Sequence, residues 1–469
     1  MAKHSPTPTN VEAPPGAWTP ARGFARRALA PVERFLEIEA ASGILLLVAA
    51  AIALAWANSP WRASYQALWH TPFGFRLAEW RFERDLHFWI NDGVMTIFFF
   101  VVGLEIRREL YKGELSELKR AALPAVAALG GMLVPAAIFA AINRGHASLS
   151  GWGVPMATDI AFAVGVLTLL GNRVPPALRI LLLALAVIDD VGAIVVIALF
   201  YSAAIVPLGF FVLALGLAGV LALRVLGVRS PWAYVAPGIV AWFGAYVAGI
   251  HPTLAGVVIG LMTPAKAWFG REGFVRHASR SLEAFRSQEN ENERELLSHL
   301  DQLKTARREA VSPVEHLEHA LHGWVAFGAM PLFALANAGV ALGSASFDGE
   351  SLRAFIGIGC GLVLGKPIGV LSFSWLATRL GFASLPGGVN WAQMSLVGVV
   401  AGIGFTMSIF IAQLAFPGGT VLETSKAGIL LASVLAAVFA FGVGKVVLPA
   451  TFSTNAAASA AEAEASTTT

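Results

Sequence analysis

The chain has 469 residues, of which 56% are hydrophobic and only 13% are charged, and its mean hydropathy is +0.68. Soluble domains average about 25% charged residues because their surfaces must be polar, so this composition excludes a soluble enzyme, a disordered protein and a nucleic-acid-binding domain. The formal charge of +3 is then a signal of membrane topology, because basic residues gather in cytoplasmic loops.

Apolar stretches recur along the whole chain. A transmembrane helix needs about 20 mostly apolar residues, and about twelve stretches approach that length. They are 41–57, 87–107, 121–143, 152–170, 176–202, 206–227, 231–249, 252–264, 319–340, 352–376, 391–415 and 424–448. If every stretch crosses the bilayer, most loop Arg and Lys residues lie on one side, together with both termini. We therefore predict an all-α polytopic membrane protein with both termini in the cytoplasm.

Three segments are too polar for the membrane. We predict a disordered cytoplasmic arm over 1–34 and a disordered cytoplasmic tail over 451–469, because both lack apolar residues to bury. A charged insert over 265–315 is predicted to be cytoplasmic and partly helical, either as a solvated hairpin or as a regulatory, partner-binding helix. The remaining chain forms two units, with eight predicted transmembrane helices in 35–264 and four in 316–450.

A few charged residues fall inside the apolar stretches, where each costs roughly 2.5–3.5 kcal/mol to insert and therefore indicates function. They are Asp92, Asp159, Asp189, Asp190 and Lys366. Adjacent helical positions point about 100° apart, so Asp189 and Asp190 cannot share one helix face. One carboxylate can line a water-filled cavity while the other meets a partner inside the bundle. A purely structural hydrogen-bonded pair or a helix cap is the alternative.

Two of the apolar stretches look interrupted. Glycines and a proline come just before Asp159 in the fourth stretch, and Gly402 and Gly404 interrupt the eleventh. Interrupted helices in the two halves of a chain are typical of transporter sites at mid-membrane, although glycines also serve ordinary helix packing. We expect Asp159 to balance exposed helix N-termini, and Lys366 to balance C-termini, to pair with Asp189, or to reach the membrane interface.

Several long motifs resemble those of the NhaA-type sodium/proton antiporters. In chain order they include WINDGVMTIFFFVVGLEIRREL, ATDIAFAVGVLTLLG, LLLALAVIDDVGAIVVIALFYS, GIHPTLAGV, GKPIGV and GIGFTMSIFIAQLAF. The resemblance implies about twelve transmembrane helices with inverted-topology repeats and two interrupted helices that cross at mid-membrane. It also implies a transporter rather than an enzyme, with no cofactor.

The resemblance further implies roles for single residues. Asp189 and Asp190 match the family's site for ion binding and proton exchange, with Thr158 as a nearby oxygen ligand. Asp159 and Lys366 match the family's compensating charges at the helix crossing.

Other matched positions lie away from the two central acids. Asp92 matches a supporting acidic position in the second helix, and Gly402 and Gly404 form the broken-helix backbone of the eleventh. The positions that the family associates with a response to pH are Glu105, Glu109, His251, Glu318, His319 and His322.

These observations predict a secondary active transporter that exports Na⁺ or Li⁺ in exchange for external H⁺. Hard cations prefer oxygen ligands, so Na⁺ and H⁺ can compete for the same carboxylates. We expect electrogenic exchange for sodium and pH homeostasis in the lipid bilayer of a bacterial inner membrane, with no nucleic-acid partner. The resemblance implies regulation by pH and a homodimer. The alternatives are a sodium-coupled solute symporter, which needs an organic substrate pocket, and an intramembrane aspartyl protease, which needs its two acids on separate helices.

Overall fold

The computed structural model describes residues 41–77, 80–202, 206–228, 230–287, 293–341, 343, 347 and 349–448. The predicted arm over 1–34 and the predicted tail over 451–469 lie outside these residues. Within them the secondary structure is almost entirely helical, as the apolar, strand-poor sequence pattern predicts.

The helices of the first unit are α1 Ala41–Ala57, α2 Arg62–Trp69, α3 Leu86–Lys112, α4 Leu118–Ile142, α5 Ile160–Leu169, α6 Pro176–Phe200, α7 Pro207–Val225, α8 Val235–Ala248 and α9 Thr253–Met262. Those that follow are α10 Gly270–Ser287, α11 Glu293–Ala310, α12 Pro313–Asn337, α13 Gly349–Arg379, α14 Trp391–Ala401, α15 Phe405–Ala415 and α16 Gly419–Val447. Short 3₁₀ helices span Glu114–Ser116, Ala147–Met156, Gly171–Arg173 and Pro231–Tyr234, and π-helical turns lie at Trp89–Val94, Val325–Ala329 and Gly361–Gly365.

By length and composition, seven described helices are able to cross a membrane: α3, α4, α6, α7, α12, α13 and α16. Three more candidates are pairs of helices bent at a short break: α1 with α2 at 117°, Ala147–Met156 with α5 at 45°, and α14 with α15 at 46°. The shorter helices α8 and α9 occupy the two remaining apolar stretches. The predictions of an all-α polytopic membrane protein and of two interrupted helices are therefore confirmed.

A β-hairpin between α2 and α3 is the element that the sequence pattern leaves as a charged loop. Strands β1 Pro72–Leu77 and β2 Trp80–Asp85 pair antiparallel, with Phe75 opposite Phe82. Phe82 also packs edge to face on Tyr246 of α8, with the ring centroids 5.5 Å apart. Aromatic and charged residues alternate along the segment, which is the two-residue period of a strand. The contact of Phe82 with Tyr246 fixes the hairpin against α8.

The charged insert contains a helical hairpin. Helices α10 and α11 pack against each other, and the N–H of Phe269 donates a hydrogen bond of 3.0 Å to the carbonyl of Glu309 at the base of the pair. Leu282 and Leu300 remain about half exposed on its surface.

Close packing of α4 against α13 positions one of the buried charges. A Cβ added to Gly369 would lie 2.1 Å from the carbonyl oxygen of Gly130, so the two backbones touch where neither has a side chain. Contacts between small residues are the ordinary means by which helices associate in membranes. One turn earlier on α13, the side chain of Lys366 passes over Gly131 of α4.

Replacing Gly369 by alanine is expected to destabilise the protein by about 1–3 kcal/mol, because the added methyl group forces two backbones apart. The matched control is Gly359→Ala on the same helix, where a Cβ would meet no atom within 4 Å. Thermal unfolding of the purified proteins in detergent measures the difference. Equal unfolding midpoints for the two variants would contradict the close packing of α4 and α13.

Candidate functional site at the helix crossing

The two interrupted helices meet at their breaks. The backbone N–H of Asp159, just before α5, donates to the carbonyl of Ile403 at 2.7 Å, and the hydroxyl of Ser408 donates to the carbonyl of Val154 at 2.9 Å. A Cβ on Gly404 would lie 3.0 Å from the carbonyl oxygen of Ala157, at the break of the other interrupted helix. The predicted crossing is therefore confirmed, and Gly404 allows the two chain segments to approach.

The carboxylate of Asp159 accepts hydrogen bonds from the first turns of two helices. One oxygen accepts from the N–H of Phe162 in α5 at 3.0 Å, and the other accepts from the N–H of Thr406 in α15 at 3.1 Å and from the Thr406 hydroxyl. The unpaired N–H groups at a helix start carry partial positive charge. This fully buried carboxylate therefore accepts hydrogen bonds at two helix N-termini at once.

Asp159→Ala is expected to lower the free energy of unfolding by about 2–3 kcal/mol, because two buried helix starts lose their acceptor together. Thr406→Val removes only one hydroxyl and is expected to cost about 1 kcal/mol. Thermal unfolding in detergent should rank wild type above Thr406→Val and Thr406→Val above Asp159→Ala. If the two variants unfold at the same temperature, Asp159 does not cap both helices.

Asp189 on α6 forms a buried ion pair with Lys366 on α13. The ammonium of Lys366 donates to Oδ2 of Asp189 and, at 2.9 Å, to the hydroxyl oxygen of Thr158. That hydroxyl oxygen lies 2.6 Å from Oδ2 of Asp189 and 2.9 Å from the carbonyl oxygen of Ala401. Of the alternatives for Lys366, pairing with Asp189 is the one observed, and none of its described hydrogen bonds reaches a helix C-terminal carbonyl.

The neighbouring Asp190 is 2% exposed and forms no ion pair within the described part of the chain. Its Oδ1 and the Oδ1 of Asp189 both lack a hydrogen-bond partner among the described residues. A buried acceptor without a partner is costly, typically about 1–3 kcal/mol. Each of these two oxygens is therefore able to accept a proton or to ligate a hard cation.

Three acids matched to the pH response gather around Arg108 near the end of α3. The guanidinium pairs with Glu318 of α12, lies 3.1 Å from Glu109, and lies 4.0 Å from Glu105. The cluster joins α3 to α12.

The three histidines matched to the pH response do not come together. His319 and His322 are exposed on α12, whereas His251 lies in the turn between α8 and α9, with Nε2 2.8 Å from the carbonyl oxygen of Tyr201. Burial lowers the pKa of His251, which favours the neutral imidazole at neutral pH. The hydroxyl of Tyr201 donates to the carbonyl of Ser150, so this turn is linked to the first interrupted helix.

Asp92 lies on α3, and its described hydrogen bonds do not reach the crossing. Its backbone carbonyl accepts a 2.8 Å hydrogen bond from the indole of Trp242.

The adjacent Asn91 belongs to a ring of amides that the sequence did not single out. Asn91 donates to Gln413 at 2.9 Å, Gln413 donates to Asn337, and Asn337 donates back to Asn91 at 2.8 Å. Amide residues inside three apolar stretches are the signal that predicts such a ring, because each needs buried partners.

Comparison with known proteins identifies the family of this chain. The family model described as Na⁺/H⁺ antiporter 1 matches residues 33–443. A protein named Na⁺/H⁺ antiporter NhaA 2 from Sorangium cellulosum is 59% identical over 97% of this chain and 98% of its own length. One of the same name from Myxococcus xanthus is 57% identical over 97% of both chains, and the Na⁺/H⁺ antiporter NhaA of Bordetella petrii is 48% identical over 95% of both. The chain therefore belongs to the Na⁺/H⁺ antiporter 1 family of membrane transporters.

Proposed function

We propose that the sodium/proton exchange of this antiporter takes place at Asp189 and Asp190, which bind either protons or one cation. The observation that carries the proposal is the pair of adjacent buried carboxylates, each with an oxygen that lacks a partner among the described residues. Thr158 adds a neutral hydroxyl oxygen within 2.6 Å of Asp189. Carboxylate and hydroxyl oxygens are the ligands that hard cations prefer.

Competition for the same oxygens couples the two fluxes. Without a cation, the ammonium of Lys366 neutralises Asp189, and a proton on Asp190 neutralises the second carboxylate. A cation that binds Asp189 competes with Lys366 for Oδ2, and the added positive charge favours release of protons from the site. On the other side of the membrane protons bind to the site and the cation is released, which completes the exchange.

The same scheme predicts charge movement and ion preference. If Asp190 and Lys366 each release a proton for one monovalent cation, net positive charge moves with the protons and the exchange is electrogenic. Li⁺ is a hard cation like Na⁺, so we propose that it is also carried.

The membrane-spanning helices place the protein in a bilayer, where it can export sodium from the cell. We propose a bacterial inner-membrane homodimer with cytoplasmic termini and transmembrane units over 35–264 and 316–450. The insert over 265–315 then lies in the cytoplasm, as its α10–α11 hairpin and charge suggest. The Arg108 cluster and His251 join separate elements, which supports a role for them in the response to pH.

A pH-sensitive dye in inverted membrane vesicles tests the function. After respiration has acidified the vesicle interior, addition of Na⁺ or Li⁺ is expected to raise the internal pH, and K⁺ is expected to have no effect. A sodium-coupled symporter would instead accumulate an organic solute and leave the dye unchanged. Absence of a Na⁺ response across the pH series would contradict the proposed exchange.

A further inference from the structure

Three amide side chains join α3, α12 and α15, and none of their described hydrogen bonds reaches the exchange site. Asn91 of α3 donates to Gln413 of α15, Gln413 donates to Asn337 of α12, and Asn337 donates back to Asn91. We call these three residues the amide ring. Asn91 is 9% exposed and Asn337 is 1% exposed, so the ring is shielded from water. Hydrogen bonds between polar side chains hold helices together inside membranes, so the ring ties the end of α15 to two other helices.

A layer of phenylalanines lies on the same three helices. Phe99 of α3 and Phe333 of α12 both contact Phe410 of α15, with ring centroids 5.2 and 6.2 Å from that of Phe410. All three side chains are at most 1% exposed. Along α15, Phe410 comes after Thr406 of the crossing and before Gln413 of the amide ring. The phenylalanine layer therefore lies between the crossing and the amide ring.

An open cleft of about 250 Å³ meets the other side of the amide ring. It lies at the end of the bundle that carries the β-hairpin, because His70 of its lining comes just before β1. His87 and Ala336 also line it. Nδ2 of Asn91 lies 3.2 Å from Nδ1 of His87, and Asn337 directly follows Ala336 in the chain. The order from the β-hairpin end inward is therefore cleft, amide ring, phenylalanine layer and crossing.

We propose that the amide ring is the latch of a gate that closes the exchange site toward the β-hairpin end of the bundle. The latch depends on the proposed function, because exchange requires the site to open to each side of the membrane in turn. An ion that moves between the cleft and the crossing has to pass the ring and the phenylalanine layer. Gln413 makes the two hydrogen bonds that hold α15 to the other helices. The bond from Asn337 to Asn91 joins α12 to α3 and is free to remain when α15 moves away.

Labelling of single cysteines tests the latch, because Cys360 is the only cysteine in the chain and Cys360→Ala removes it. In that background, Ala334→Cys places a thiol beside Phe333 of the phenylalanine layer, and Ala336→Cys places one in the cleft. A charged, membrane-impermeant methanethiosulfonate is added to right-side-out membrane vesicles of the full-length protein, whose outer face carries the β-hairpin in the proposed topology. We expect fast labelling of Ala336→Cys and slow labelling of Ala334→Cys, which lies behind the closed gate.

Gln413→Leu is expected to speed the labelling of Ala334→Cys by about tenfold, because the closed gate loses two hydrogen bonds and water satisfies the two ring partners only when the gate opens. Labelling of Ala336→Cys should not change. The matched control is Leu414→Ala, the next residue on α15, which loosens the packing of that helix but keeps the ring. An unchanged rate in Gln413→Leu, an equal increase in Leu414→Ala, or no labelling of Ala336→Cys would overturn the proposal.

Cross-linking supplies a second readout that does not depend on the folding of Gln413→Leu. In the cysteine-free background, a short bis-methanethiosulfonate bridges the thiols of the double variant Asn337→Cys/Gln413→Cys. We expect the bridge to stop Na⁺-dependent exchange in the vesicle assay and a reductant to restore it. A methanethiosulfonate with a single reactive group is the control and should leave exchange in place. Full exchange after bridging, or equal loss with both reagents, would contradict the latch. The labelling experiment measures no transport, so its outcome is separate from that of the proposed exchange.

Discussion

Asp190→Asn is expected to lower the rate of sodium-dependent proton exchange by roughly 100-fold or more, while the protein remains folded. Asparagine keeps the size of the side chain but cannot exchange a proton, and loss of a positioned proton-transfer group typically costs about 10²–10⁴-fold. Asp190 forms no ion pair among the described residues, so its replacement removes little structural support. The vesicle assay measures the rate, normalised to the amount of protein in the membrane.

The matched control is Asp301→Asn, an exposed acid on α11, which should exchange Na⁺ at the wild-type rate. Wild-type activity in Asp190→Asn would place the exchanged proton elsewhere. An inactive Asp190→Asn that also unfolds at a much lower temperature would mean that Asp190 has a structural role.

Lys366→Met is expected to destabilise the protein by about 3–5 kcal/mol, because Asp189 is left buried without its counter-charge. Asp189→Asn should cost a similar amount, since it leaves the ammonium of Lys366 unpaired. The double variant replaces a charge pair by two neutral groups, so it should recover much of the loss. Thermal unfolding of the wild type, the two single variants and the double variant forms a double-mutant cycle.

Lys445→Met is the control for loss of a lysine without a buried partner, and it should leave the unfolding midpoint nearly unchanged. Additive losses in the double variant would show that Lys366 and Asp189 do not stabilise each other. Transport is expected to fail in Asp189→Asn in either case, because the candidate site loses one of its two carboxylates.

The buried charges show what the sequence reveals and what it leaves open. Insertion cost alone identifies Asp159, Asp189, Asp190 and Lys366, and the nearby glycines predict the breaks that bring their helices together. The choice of partner depends on tertiary packing. Lys366 meets Asp189 across a separation of 177 residues, so the sequence left pairing with Asp189, balance of a helix C-terminus and the membrane interface open as alternatives.

Other features escaped prediction for specific physical reasons. Thr406 donates to the carboxylate of Asp159 because the crossing brings α15 to α5. The sequence shows a hydroxyl in the first turn of a helix, but it does not show which carboxylate that hydroxyl meets. The β-hairpin carries the two-residue alternation of a strand, but its strands are short and rich in charge, so the composition favours a loop. Aromatic contacts such as Phe82 with Tyr246 hold it against the helices.

Proton release on Na⁺ binding tests the central claim most directly. Purified protein in a weakly buffered solution at mildly alkaline pH is mixed with Na⁺, and a pH dye reports the protons released, with choline as the control cation. We predict that Na⁺ releases protons from the wild type, that Asp190→Asn releases fewer, and that the Asp189→Asn/Asp190→Asn double variant releases none. Undiminished proton release from the folded double variant would contradict the assignment of exchange to these two carboxylates.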